Sequence, residues 1–142
     1  MWQAQEYSAD MIEDVTEFHC VNENKTILPH KITSLINLQI INCKCNNICK
    51  LPSNINELIN LRVLDCSYNS ISYFPFELYQ LNKLEMLNCS NNKIVFMPYK
   101  FDQLINLKLF DCSNNNITCV KGDELGKLIN LQTFYCYNNK LT

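Results

Sequence analysis

The chain has 142 residues, 12 basic and 14 acidic side chains, and a formal net charge of −2. A weakly acidic chain lacks the basic surface that general binding to nucleic acids or anionic membranes requires, and no apolar run reaches the roughly 18–20 residues that span a bilayer. Its hydrophobic content of 47% suffices for a core, whereas its two glycines argue against glycine-rich phosphate loops.

Residues 1–34 form an acidic N-terminal segment that ends in a degenerate capping repeat. This segment lacks the basic and apolar regions of a secretory signal. Met11, Ile12 and Val15 have the spacing of a short amphipathic turn, which we expect to cover the core of the first repeat. The negative charge of this segment is explained by a solvent-exposed cap or, alternatively, by a patch that attracts a basic partner. Its acidic residues are Glu6, Asp10, Glu13, Asp14, Glu17 and Glu23.

From Leu35 onward the sequence is periodic. Leucines open successive blocks at steps of 23, 23, 23 and 24 residues, and a cysteine and an asparagine recur with them. Each block has the form L-x-x-L-x-x-L/F/I-x-C-x-x-N-x-I/L, and most continue to a proline. Residues 12–34 follow the pattern less closely, with Glu23 where asparagine is expected. The blocks span residues 35–57, 58–80, 81–103, 104–127 and 128–142, the last of them truncated.

This pattern resembles the leucine-rich repeat family, in the intracellular, Ras-suppressor-like class of about 23 residues per repeat. The chain departs from the family at the ninth repeat position, where cysteine replaces the usual leucine, as in similar repeats of giant viruses and AT-rich protists. The resemblance implies an α/β-type solenoid, a horseshoe arc with a parallel β-sheet on its concave face and a mostly irregular or short-helical convex face.

Within each block the residues before the cysteine alternate, so that Leu64 and Cys66 face inward while Val63 and Asp65 face outward. Parallel strands stack about 4.8 Å apart, which brings each cysteine beside its counterpart one repeat away. The asparagine carries both a donor and an acceptor on a short stem, and we expect it to satisfy the bent backbone after the strand. The two structural ladders comprise Cys43, Cys66, Cys89, Cys112, Cys136 and Asn46, Asn69, Asn92, Asn115, Asn139.

Outward-facing positions form columns across the predicted sheet. The first column is apolar in four consecutive repeats, which is typical of a partner site but is also explained by the β-propensity of its residues. We expect a third column, with Ser67, Ser90 and Ser113, to face outward as well. The residues that we expect to contact a partner are Ile40, Val63, Met86, Leu109, Asn42, Asp65, Asn88, Asp111, Tyr68 and Tyr135.

The remaining chemistry-bearing residues do not converge. Cys43, Cys45 and Cys49 resemble half a zinc site, but we expect Cys43 to face inward and Cys45 to face outward. His19 and Cys20 are adjacent, so they face opposite sides of a strand and form no nucleophile–base pair. We therefore predict no metal, no cofactor and no catalysis, and we interpret most of the nine cysteines as buried apolar side chains.

The predicted function is that of a non-catalytic scaffold that binds a protein or peptide on its concave face, without nucleic-acid or membrane binding. The alternatives are a recognition fragment of a larger regulatory enzyme, of GTPase, kinase or ubiquitin-ligase type, and a self-assembling structural protein. The odd number of cysteines and the missing signal favour a cytoplasmic location, or the host cytoplasm for a viral protein. Because the sequence stops in mid-repeat, we expect either a fragment or an end-to-end homodimer through an uncapped C-terminal repeat.

Overall fold

The computed structural model describes residues 14–97, 100–120 and 122–142, without the side chain of Glu124. Met11, Ile12 and Pro98 lie outside the described residues. The strands are β1 (Glu17–His19), β2 (Ile40–Asn42), β3 (Val63–Asp65), β4 (Met86–Asn88), β5 (Leu109–Asp111) and β6 (Thr133–Tyr135). The 3-10 helices are η1 (His30–Ser34), η2 (Ile55–Glu57), η3 (Phe76–Gln80) and η4 (Phe101–Gln103), and one short α-helix, α1, spans Gly122–Leu125.

The strands form one parallel sheet in sequence order, from β1 to β6. Neighbouring strands pair at equivalent repeat positions, so that Val63 lies opposite Met86 and Asp65 opposite Asn88. One repeat therefore separates adjacent strands, and each repeat contacts the next along the arc. The predicted parallel-sheet solenoid is confirmed.

The core lies between the sheet and the short helices of the convex side. Leu61, Leu64, Cys66 and Ile71 are each 0% exposed, and Phe74 is 9% exposed. Each buried leucine contributes roughly 1.5–3 kcal/mol through removal of its apolar surface from water. Because neighbouring repeats supply part of the cover, the core is continuous along the arc.

The convex side is built from single helical turns. Pro29 and Pro75 come directly before η1 and η3, where a residue without a backbone N–H loses no hydrogen bond. The 24-residue block contains α1 in place of a 3-10 turn. None of the helices within the described ranges is long and apolar enough to cross a membrane.

Candidate functional site

An apolar column, here called the stripe, runs across the concave face. It consists of Ile40, Val63, Met86 and Leu109, which lie opposite one another on β2 to β5. We expected these side chains to be exposed, but each is only partly exposed. Side chains one strand spacing apart, about 4.8 Å, cover each other's flanks, which accounts for the difference.

Two residues further along each strand lies a polar column, in which Asp65, Asn88 and Asp111 are neighbours. Oδ1 of Asp65 accepts hydrogen bonds from the backbone N–H of Ser67 at 3.0 Å and from its hydroxyl at 2.7 Å. Asn88 and Asp111 accept the same two bonds from the serine two residues later. These side chains thus close the turn after the strand, besides facing the concave side.

The same bonds overturn the prediction for the three serines of the third column, although Val21 and Tyr137, at the same repeat position, are 38% and 56% exposed. Ser67, Ser90 and Ser113 are 3%, 5% and 1% exposed, so they do not face outward. Strict alternation ends with the strand, because the polar residue two positions before each serine accepts a hydrogen bond from its hydroxyl and holds the serine in the turn. The period of the strands therefore predicts the first two columns of the concave face but fails for the serines of the third.

A charged column borders the other side of the stripe and was missed in the sequence. Glu85 forms ion pairs with Arg62 at 2.5 Å and with Lys108 at 2.6 Å, one repeat to either side. Hydrogen bonds from Lys108 and Arg62 lower the pKa of the Glu85 carboxyl below its ordinary value. The signal that predicts this column is the alternation of charge at the fifth position of three consecutive blocks.

The residue after each serine position has left-handed backbone geometry. The φ angle is 58° at Cys45 and 54° at Tyr68, and asparagine occupies the other equivalent positions. Asparagine tolerates this region better than other residues with a side chain, so Cys45 and Tyr68 are the less favourable choices. Tyr68 is 58% exposed and Tyr135, on β6, is 47% exposed. The other residues with this geometry at the same repeat position are Asn22, Asn91, Asn114 and Asn138.

The asparagine of the twelfth position is buried and fully bonded, as Asn92 shows. Its Nδ2 lies 3.0 Å from the carbonyl oxygens of Cys66 and Cys89 and 3.2 Å from that of Ser90. Its Oδ1 accepts the backbone N–H of Ile71, in the preceding repeat, at 2.9 Å. Each such side chain ties the strand ends of two repeats together. Its counterparts are Asn46, Asn69, Asn115 and Asn139.

A second set of asparagines links the repeats at the start of each block and was also missed. Asn60, Asn106 and Asn130 donate from Nδ2 to the carbonyl oxygen of the residue one position earlier in the preceding repeat, at 3.0, 2.6 and 2.7 Å. The recurrent L-I-N-L that opens most blocks is the signal for this set.

The cysteine column points inward. Cys66, Cys89 and Cys112 are each 0% exposed and donate from Sγ to a backbone carbonyl of the next repeat at 3.5, 3.3 and 3.4 Å. Burial raises the pKa of Cys112 to about 12, with smaller contributions from Cys136 and from Asp111, and raises that of Cys89 well above its usual range. These thiols therefore stay protonated at neutral pH and behave as small apolar side chains. Cys43 is equally buried, whereas Cys136 is partly exposed.

The other chemistry-bearing residues lie apart. Cys20 is 1% exposed, while His19 is exposed and pairs with Glu17 at 2.9 Å. Cys45 and Cys49 are exposed, whereas Cys43 is buried. Within the described ranges no three His, Cys, Asp or Glu side chains come together as metal ligands would.

The arrangement of periodic strands, ladders and one-turn helices agrees with the sequence comparisons. A family model described as a leucine-rich repeat region matches residues 14–141. The chain belongs to the leucine-rich repeat family. Membership of the Ras-suppressor-like class stays a prediction. No curated protein sequence matches the chain significantly.

Solved structures share this repeat architecture. A leucine-rich repeat protein of Leptospira interrogans superposes with a TM-score of 0.85 at 29% identity, over 89% of this chain and 32% of that protein. The plant peptide hormone receptor RGFR1, in complex with RGF2, gives 0.72 at 26% identity, over 81% and 19% of the two chains. The ectodomain of the Arabidopsis thaliana receptor kinase GASSHO1/SCHENGEN3, in complex with CASPARIAN STRIP INTEGRITY FACTOR 2, gives 0.80 at 26% identity, over 89% and 16%. The chain thus spans a third or less of these structures.

Proposed function

We propose that this leucine-rich repeat chain is a non-catalytic interaction module that binds a protein or peptide across its concave face. The observation that carries the proposal is the stripe, an apolar column in register on four strands. A partly exposed apolar centre with polar residues on both sides is the anatomy of a protein interface. The complexes of RGFR1 and GASSHO1/SCHENGEN3 with their named partners support binding by this architecture.

The proposed partner is a protein rather than a nucleic acid. Asp65 and Asp111 place negative charge beside the stripe, which disfavours a phosphate backbone. A cytoplasmic location remains part of this proposal and is supported by the absence of disulfides among the nine cysteines.

A phage-displayed library of random short peptides, selected on the full chain, tests the proposal. We expect the selection to enrich peptides that bind the chain. These peptides should no longer bind the stripe variant, which carries Val63→Glu with Met86→Glu. The matched control carries Tyr73→Glu with Phe96→Glu, which adds the same charge at side chains 60% and 71% exposed outside the stripe. Circular dichroism checks that both variants fold. A lack of enrichment, or equal binding by the stripe variant and the wild type, contradicts the proposal.

A second proposal, the end-to-end homodimer, is supported by the last repeat. Leu131, Phe134 and Cys136 are partly exposed and Leu141 is 47% exposed, whereas equivalent residues of central repeats are buried. Such an end presents apolar surface and the edge of β6 to a second copy. Sedimentation velocity over a range of concentrations tests it, and a constant monomer mass contradicts it.

A further inference from the structure

The charges of the concave face are unevenly balanced. Glu85 is neutralised by Arg62 and Lys108, which together leave one net positive charge on that side of the stripe. Asp65 and Asp111, on the other side, have no cationic partner among the residues that the structure describes. The carboxylates without a cation thus lie next to the proposed apolar contact surface.

Both carboxylates are held in place by the chain itself. Oδ1 of Asp111 accepts the backbone N–H of Ser113 at 2.9 Å and its hydroxyl at 2.6 Å, and Asp65 is held by Ser67 in the same way. The second oxygen of each carboxylate makes no hydrogen bond within the described residues. A carboxylate fixed in this way loses little side-chain entropy when it binds a cation.

We propose that the partner segment carries two cationic side chains beside its apolar residues, and that Asp65 and Asp111 bind them. The inference rests on the proposed function, because it concerns the same concave face. It makes these aspartates specificity-determining residues in addition to their role in the turn. The net positive charge around Arg62 and Lys108 disfavours cations on the other side of the stripe, so the partner binds in one orientation.

The register fixes the spacing of these cations. Asp65 and Asp111 lie on either side of Asn88, two strand steps apart, which corresponds to about 9.6 Å. An extended chain in the polyproline II conformation covers about 9.3 Å in three residues. We therefore expect lysine or arginine at positions i and i+3 of an extended peptide that crosses the strands.

The test uses the peptides enriched by the display library on the full chain. The variant Asp65→Asn with Asp111→Asn removes both charges and keeps the acceptor oxygens, since Asn88 makes the same bonds to Ser90. Its urea midpoint should therefore match that of the wild type. We expect its affinity for the best peptide to fall roughly 3- to 30-fold, which is the range for two partly exposed ion pairs. In the converse variant, Asn88→Asp adds a carboxylate between them and should tighten binding.

Two further measurements complete the test. Enriched peptides should carry basic residues three apart, and salt near 0.5 M should remove most of the difference between the wild type and the double asparagine variant. If the enriched peptides do not bind the stripe variant but bind the double asparagine variant as tightly as the wild type, this inference is wrong and the proposed function stands. Peptides that the stripe variant still binds, or a library without enrichment, overturn both.

Discussion

Asparagine at the twelfth repeat position shows how one side chain holds the solenoid together. Asn92 bonds backbone groups of two consecutive repeats, from Cys66 to Ser90, and is only 8% exposed. We expect Asn92→Ala to lower the free energy of unfolding by about 1–3 kcal/mol, because it leaves the buried N–H of Ile71 without a partner and removes one of the hydrogen bonds to each of three carbonyls. Urea denaturation measures this loss.

Asn116 provides the matched control for that substitution. It is partly exposed, and its side chain makes no hydrogen bond within the described residues, although its backbone N–H bonds Ile94. Asn116→Ala should therefore change the free energy of unfolding by less than about 0.5 kcal/mol. Equal losses for Asn92→Ala and Asn116→Ala would show that the ladder does not stabilise the fold.

Backbone geometry gives the second prediction at the level of single residues. Cys45 occupies the left-handed region with a φ of 58°, where four of the equivalent positions have asparagine. Cys45→Asn should therefore raise the free energy of unfolding by about 0.5–1 kcal/mol, since asparagine is less strained there. Cys119→Asn is the control, because Cys119 is exposed but lies outside the left-handed region. If the urea midpoint shifts equally in Cys45→Asn and Cys119→Asn, the left-handed backbone at Cys45 is not the cause of the gain.

At the level of elements, the ion pairs across β3 to β5 make stability depend on pH. The lowered pKa of Glu85 means that its contribution is present above the unfolded pKa of about 4.3 and is lost as pH falls through the lower folded value. Glu85→Gln should therefore lower the melting temperature at pH 7, and this difference should shrink as pH falls below about 4. Thermal unfolding over that pH range measures it.

Glu77, on η3, serves as the control for the charged column. It has no ion-pair partner among the described residues, so Glu77→Gln removes the same charge without breaking a pair. A melting-temperature difference for Glu85→Gln that stays constant with pH, or that Glu77→Gln reproduces, would mean that the column contributes nothing specific.

The elements also show how far the sequence determines the concave face. The 23-residue period predicts the strands, their parallel order and the pairing of Val63 with Met86, because in-register stacking leaves no freedom once the repeat length is constant. The burial of Ser67 depends on a hydrogen bond to Asp65 just after the strand, where side chains no longer alternate between the two faces. The ion pairs of Glu85 depend on contacts between long side chains of neighbouring repeats, which strand alternation alone does not indicate. For the same reason the two roles of Asp65, turn closure and exposure to a partner, emerge only from coordinates.

For the whole molecule, the repeats predict a graded stability along the arc. A solenoid buries each layer between two neighbours, so a layer covered on one side contributes less. Leu84 is 0% exposed in a central repeat, while Leu131, at the same repeat position, is partly exposed in the last one. Leu84→Ala should cost about 2–5 kcal/mol, the range for a buried leucine, and Leu131→Ala less than half of its loss.

Urea denaturation of the two variants at low and high protein concentration decides between a free and a covered C-terminal layer. If the C-terminal layer is exposed to solvent, Leu131→Ala loses less unfolding free energy than Leu84→Ala at every protein concentration. An end-to-end homodimer would bury Leu131, so that Leu131→Ala would also weaken association. The loss of unfolding free energy for Leu131→Ala would then approach that for Leu84→Ala as the protein concentration rises. Equal losses at all concentrations would contradict the graded stability, because a layer exposed on one side cannot stabilise the chain as much as one enclosed on both.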